Sequence, residues 1–344
     1  MRKMKKSLFV LGMFLIALAA GCQRIPMHER GSGVYLRVSI DQSLDPLMEA
    51  YLESVGSPST REKVVGKIPE ILRVCFYDVV SHELVAEDFL SPGGGFVDVP
   101  AGVYDVVVYS LGTEVTQVSG TEVRAGGYAF TNTTGIRVRP QAAQIKDDED
   151  DNQAGTQEQP VIFEPDHLFV GKIAGAIVPV QPDDAEPVVL TAELSRISES
   201  WTLEIPNIEG AERIRDAEVY ITGQAAGRFL WDERITGHPC ALAPECEINV
   251  QEGRLESVFN TFGKYPQQDT DVLVMVLVTT ISDARCLFVY DATDQWLNPD
   301  NTSLRLVFEK TMEIPGEDYQ GDGVDPVVIA WDNEDITVHI GIVD

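Results

Sequence analysis

The chain has 344 residues, with 26 Lys and Arg against 55 Asp and Glu, a formal net charge of −29. So acidic a chain is excluded from nucleic-acid binding, which draws most of its affinity from phosphate neutralisation by Lys and Arg, and from electrostatic adsorption to anionic lipid. A 44% apolar composition supplies core for the two domains this length predicts, and five cysteines are too few for a disulfide scaffold.

Arg2, Lys3, Lys5 and Lys6 precede an apolar run from Leu8 to Ala20, the layout of a secretory signal. The run is too short to be a permanent span, which needs about 20 apolar residues. It closes on Leu18-Ala19-Ala20-Gly21-Cys22, where small residues let an extended backbone enter a peptidase groove and Cys22 offers a thiol for acylation. This stretch resembles a bacterial lipobox. Residues 1–21 are therefore expected to be a signal peptide and Cys22 the lipidated first residue of the mature chain. The four basic residues leave with the signal, so the remainder carries 22 basic against 55 acidic residues, a net charge of −33. Membrane attachment then falls to the acyl chains. Residues 22–32 contain turn formers and no apolar period, and read as a tether.

Val34, Leu36, Val38 and Ile40 alternate with polar residues and predict a half-buried strand. Leu44, Leu47, Met48, Tyr51, Leu52 and Val55 fall at helical spacing, so one short helix is expected over 43–56, followed by a polar loop over 56–69. Strands are predicted at 71–77, 83–89, 96–99 and 103–109, then at 114–118, 128–132 and 135–139. Gly93-Gly94-Gly95 lacks the following helix and lysine of a phosphate loop. Pro100-Ala101-Gly102 is a tight turn between strands. The run Asp147-Asp148-Glu149-Asp150-Asp151 repels itself and has nothing to bury, so 141–160 is expected to be an acidic linker between a first domain, 33–140, and a second, 161–344.

Further strands are predicted at 188–194, 201–205, 217–222, 272–281, 285–291, 304–308 and 336–342. Val272 to Thr279 is apolar on both faces, which predicts a central strand. The terminal strand either completes its own sandwich or docks in a neighbouring subunit. The short Trp331-Asp332-Asn333 turn favours its own domain.

Signals for chemistry are sparse. There is no Gly-x-Ser-x-Gly, His-Glu-x-x-His, Walker A or Rossmann pattern, and the five histidines, His28, His82, His167, His238 and His339, are scattered. No catalytic residue and no cofactor is expected. Cys240 and Cys246 flank Ala-Leu-Ala-Pro-Glu; an oxidising envelope closes such a pair into a small loop unless strain keeps it open. Asp318, Asp322 and Asp325 sit among turn glycines as metal candidates, though their spacing misses the calcium-loop order and favours a plain polar loop. Trp201, Trp231, Trp296 and Trp331 are either core residues or a sugar-stacking platform.

Several stretches carry a resemblance. Val74-Cys75-Phe76-Tyr77, the run from Pro100 to Tyr109 and Thr113-Glu114 are similar to the first domain of Bacteroidales fimbrial anchor and accessory lipoproteins. Phe163-Glu164-Pro165-Asp166-His167-Leu168-Phe169, Ile208-Glu209-Gly210, Phe259-Asn260-Thr261-Phe262-Gly263 and Tyr290-Asp291-Ala292-Thr293-Asp294-Gln295 resemble a related lipoprotein family of the same bacteria. The resemblance implies an all-β chain of two consecutive transthyretin-like antiparallel sandwiches. It also implies an outer-membrane anchor through acyl chains on Cys22, other fimbrial subunits as partners, and a non-catalytic role in fimbrial anchoring, assembly or adhesion. The alternative is a surface glycan-binding lipoprotein of a carbohydrate uptake system, which two tryptophans on one exposed face would favour.

Overall fold

In the computed structural model of the chain, the residues described are 33–55, 58–142, 158–182, 185–266, 270–316, 327–331 and 336–342. The chain begins with strand β1 (Gly33–Ile40), helices α1 (Pro46–Val55) and α2 (Pro58–Val65), and strands β2 (Leu72–Asp78), β3 (Leu84–Leu90), β4 (Gly94–Asp98) and β5 (Gly102–Ser110). Next come β6 (Gln117–Ser119), β7 (Tyr128–Phe130), β8 (Thr133–Ala142), β9 (Gln159–Ile162), β10 (Phe169–Val178) and β11 (Val188–Arg196). The second half contains β12 (Glu199–Ile205), β13 (Ile208–Glu209), β14 (Ile214–Phe229), β15 (Ile235–Leu242), β16 (Cys246–Asn249), β17 (Arg254–Thr261), β18 (Leu273–Thr280) and β19 (Arg285–Asp291). Helix α3 (Thr293–Leu297), β20 (Arg305–Val307), β21 (Met312–Glu313), β22 (Val327–Trp331) and β23 (Ile336–Ile342) complete it.

The fold is all-β, as expected, and is built as two sandwiches. The first is a seven-stranded sheet in the order β3-β2-β5-β10-β11-β1-β4, wrapped around a core that includes Val34, Leu36, Phe76, Val106 and Leu194. Alternation decides which side chains enter: Val34 and Leu36 point in, while Tyr35 and Arg37 point out. Gly94, at φ 97°, lets β4 lie against β1, since a Cβ there would meet the Leu36 carbonyl oxygen at 1.9 Å. Of the three glycines, Gly94 is the one that a close strand approach requires.

In the second sandwich a four-stranded sheet, β16-β17-β12-β20, shares a core with a ten-stranded one. The main path of the large sheet is β22-β19-β18-β14-β15-β9-β8-β23, with β7 attached at β14 and β6 at β7. Trp201, Leu203 and Phe259 of the small sheet meet Val274, Val276 and Phe288 of the large one. On the other face of β18, Leu273, Met275 and Leu277 pack with Leu287, Val289 and Val138. The unbroken apolar run therefore forms a central strand covered on both sides. β23 runs antiparallel to β8, from Ile336 opposite Ala142 to Ile342 opposite Ile136, so the terminal strand pairs within its own chain.

Three features differ from expectation. The segment expected as a polar loop contains α2, whose buried residue is Val64. With Met48 and Leu52 of α1 it forms a small core against Val258, but a single buried position leaves no period to read. The acidic run at 147–151 lies outside the described residues, yet both ends of the expected linker are strand: Gln141 pairs with Thr337, and Gln159 with Val138. The sheets also do not divide there. β6 to β9 join the second sandwich, while β10 and β11 return to complete the first, β11 lying parallel to β1. A parallel neighbour needs a crossover connection, here a long one, and local sequence does not reveal such partners.

Candidate functional site

The chain crosses between the sandwiches on the segment from Phe163 to Leu168, between β9 and β10. Its polar side chains satisfy backbone groups of other segments. Glu164 accepts from the Asn260 backbone N–H at 2.7 Å and pairs with Lys63 of α2 at 2.9 Å. Burial pushes the Glu164 carboxyl up, and Lys63 opposes this. Asp166 accepts from the Val115 N–H at 2.6 Å and the Thr116 N–H at 3.3 Å, and its carbonyl accepts from the Thr116 hydroxyl at 2.9 Å.

His167 is buried, its Nδ1 2.7 Å from Ser198 Oγ and its Nε2 3.0 Å from Ser200 Oγ. Ser200 also donates to Asn260 Oδ1 at 2.7 Å, and Asn260 Nδ2 donates to the Lys63 carbonyl at 3.3 Å. With the Ser200 proton committed to Asn260, the network assigns the ring hydrogen to Nε2. Arg196 donates to the Val64 carbonyl at 2.7 Å and the Ser43 carbonyl at 2.5 Å, and Gln42 to the Gly66 carbonyl at 3.1 Å. The orphan carbonyls at the end of α2 are thus capped by side chains from both sandwiches. Two of the motifs that carried the resemblance, Phe163 to Phe169 and Phe259 to Gly263, meet at this point.

A buried His beside two serines has the makings of a nucleophile and its base, but the surroundings argue for a latch. Burial, with Arg196 adding to it, lowers the His167 pKa to about 4, so the ring is a poor base near neutrality. Ser198 and Ser200 are themselves buried. The isolated positions of the histidines in sequence concealed this network; its only local signal was the short motif around His167.

Two grooves flank the latch. One, of about 720 Å³, is lined by Lys63, Lys67, Glu114, Phe163 and Asn260 among others. At Lys63, Ala243 and Glu245 it adjoins a second, of about 680 Å³, bordered by Tyr51, Tyr220 and Glu256. Phe163 is half exposed on the first. Carboxylates outnumber amines along this trough.

The remaining sequence candidates do not converge on a site. Cys240 and Cys246, the candidate disulfide pair, are separate free thiols in this structure. Cys240 lies on β15 with its Sγ 3.2 Å from the Gln224 carbonyl, and Cys246 opens β16 of the facing sheet with its Sγ 3.4 Å from the Ala217 carbonyl. The chain changes sheet between them. Trp201 and Trp296 stack on each other at 3.9 Å within the core, and Trp231 lies under the Arg124 guanidinium at 4.7 Å. Two of the four tryptophans are thus unavailable for sugar stacking. Cys22, Asp318, Asp322 and Asp325 lie outside the described residues. Among the described residues no group of three or more His, Cys, Asp or Glu side chains is arranged to hold a metal, and no helix is long and apolar enough to cross a membrane.

Over 108 residues the chain is 31% identical to a protein of Bacteroides ovatus named as a fimbrium anchoring subunit, Fim4B; the match takes in 31% of this chain and 27% of that protein. The chain thus spans about a quarter of that relative's length. A crystal structure of a Bacteroides ovatus protein named as an adhesin superposes with a TM-score of 0.54, covering 83% of this chain and 94% of that one at 17% identity, and shares the fold. The fimbrial anchor protein Mfa2 of Porphyromonas gingivalis superposes with a TM-score of 0.48 at 12% identity, over 82% and 90% of the two chains. Residues 62–243, more than half of the chain and both sides of the crossing segment, match the family described as domain of unknown function DUF5119. The chain belongs to the DUF5119 family.

Proposed function

We propose that this protein is a non-catalytic accessory or anchoring subunit of a fimbrium, held in the outer membrane by acyl chains on Cys22. The observation that carries the fimbrial part is the 31% identity to a fimbrium anchoring subunit, joined to a fold shared with a protein named as an adhesin. The lipobox at Leu18 to Cys22 supports the anchor. A latch that spends its His, Ser, Asn and carboxylate groups on fixing two sandwiches together suits a part that carries load better than one that turns over substrate. Fatty-acid labelling of cells tests the anchor. The wild-type chain incorporates label and fractionates with the outer membrane, whereas Cys22→Ala is released or stays as a longer precursor. Label persisting in the Cys22→Ala chain would refute the assignment.

A further inference from the structure

The trough beside the latch has an apolar floor and an acidic rim. In its first groove Phe163, 49% exposed, stands with the partly buried Leu111 and Val115. In the second, Tyr51, Ile136 and Val258 are partly buried. Apolar surface rimmed by polar residues marks an interaction site, and the rim decides what covers this one. The two cations that line the trough are already matched, Lys63 with Glu164 at 2.9 Å, and Lys67 with Glu114 at 3.1 Å and Glu62 at 3.8 Å. Glu218, Glu245, Glu247 and Glu256 line the second groove. Among the described residues only Glu256 of these four has a cation, the Arg254 guanidinium at 2.9 Å, which also serves Glu204 and Glu252. Neighbouring groups feel the surplus. Burial, then Glu256 and Glu204, push the Tyr51 hydroxyl up to about 12. Asp216 and Glu218 add to the burial that raises the Cys246 thiol to about 11. A groove with one sign of charge over an apolar floor focuses its field on an incoming cation.

We infer that the trough seats an extended segment of another protein in which lysine or arginine alternates with apolar residues. The inference rests on the fimbrial reading above only in taking that protein to be a fellow subunit. Successive side chains of an extended segment point to opposite sides. The apolar ones meet Phe163, Tyr51 and Ile136, while the lysines turn their heads up to the rim at Glu218, Glu245 and Glu247. A second copy of this chain is the wrong occupant, because its own net charge is −29. A neutral glycan would leave the rim carboxylates unmatched.

The test titrates residues 23–344 into fluorescein-labelled peptides of about ten residues at low salt, with binding read by anisotropy. One peptide alternates lysine with valine, a second lysine with serine, and a third glutamate with valine. The lysine-valine peptide should bind about tenfold more tightly than the lysine-serine peptide, and the glutamate-valine peptide should not bind. Glu245→Lys with Glu247→Lys should weaken the lysine-valine peptide about tenfold, as should Phe163→Ser. Asp98→Lys with Glu193→Lys makes the same charge change at exposed positions of the first sandwich and should leave binding unaltered. Each variant is first shown to keep the wild-type Tm. Failure of the lysine-valine peptide to bind overturns the inference. So does equal binding of both lysine peptides, or equal weakening by both charge reversals, since either would reduce the attraction to the general acidity of the chain. Displacement of the peptide by maltoheptaose, a neutral glucan, would also overturn it. None of these outcomes touches Cys22 or membership of a fimbrium, on which fatty-acid labelling and affinity isolation report separately.

Discussion

His167 ties pH to the strength of the latch. Its folded pKa, held down at about 4 by burial and by Arg196, lies below the roughly 6.5 of an unfolded histidine. The unfolded chain therefore takes up this proton first as pH falls, and stability drops between about 6.5 and 4 and levels off below. By pH 5 the loss reaches about 2 kcal/mol. Urea unfolding at pH 7 and pH 5 should show it, and His167→Gln should remove that part of the difference. A variant keeping the full wild-type slope would place the proton uptake elsewhere. The thiols give a second prediction at this scale. Burial raises Cys246 and Cys286 to about 11 and Cys240 further still, which disfavours the reactive thiolate. Alkylation of the native chain at pH 8 should leave all three unmodified, and alkylation after denaturation without reductant should modify all three. A cross-linked Cys240–Cys246 peptide would contradict the structure.

At the scale of elements, legibility followed local pattern. β1 and β19 were readable because apolar side chains alternate along them or run unbroken through them, and β18 because Leu273 to Val278 is apolar throughout. β10 was not, since Gly171 and Gly175 interrupt its sequence and a bulge between Ile173 and Ala176 shifts its register against β5. β17 was missed because Arg254, Glu256 and Ser257 dilute its pattern while it carries Leu255 and Phe259 into the core. The latch was legible only as short motifs, because His167, Ser200 and Asn260 are brought together by strands far apart in sequence. The terminal strand yields a prediction: deleting residues 336–344 strips the outer edge of β8 from Ile136 to Ala142. Unpaired edges invite aggregation, so the shortened chain should be insoluble or rapidly proteolysed. A truncated chain that stays monomeric with an unchanged Tm would show that β23 is dispensable to its own sandwich.

For the whole molecule, the interleaved strands make the two sandwiches one folding problem. A fragment of residues 33–140 lacks β10 and β11, which splits the first sheet into β3-β2-β5 and β1-β4 and leaves β5 and β1 each with one open edge. It should fail to fold, as judged by circular dichroism and amide exchange; a stable, protected fragment would contradict the shared topology. Val107, Tyr109 and Leu168 also bury against Ala225, Leu230 and Phe262 across the junction, so the halves are joined by packing as well as by chain crossings. Two sandwiches joined in this way suit the proposed role of a subunit that links a fimbrium to a membrane. The most direct measurement is to isolate the chain by affinity from detergent-solubilised outer membrane and identify what it holds. The account predicts an N-terminally acylated chain beginning at Cys22 and carrying fimbrial subunits, and loss of those subunits from the outer-membrane fraction in a Cys22→Ala strain. An unacylated chain without fimbrial subunits, or one bound to components of a glycan uptake system, would contradict it.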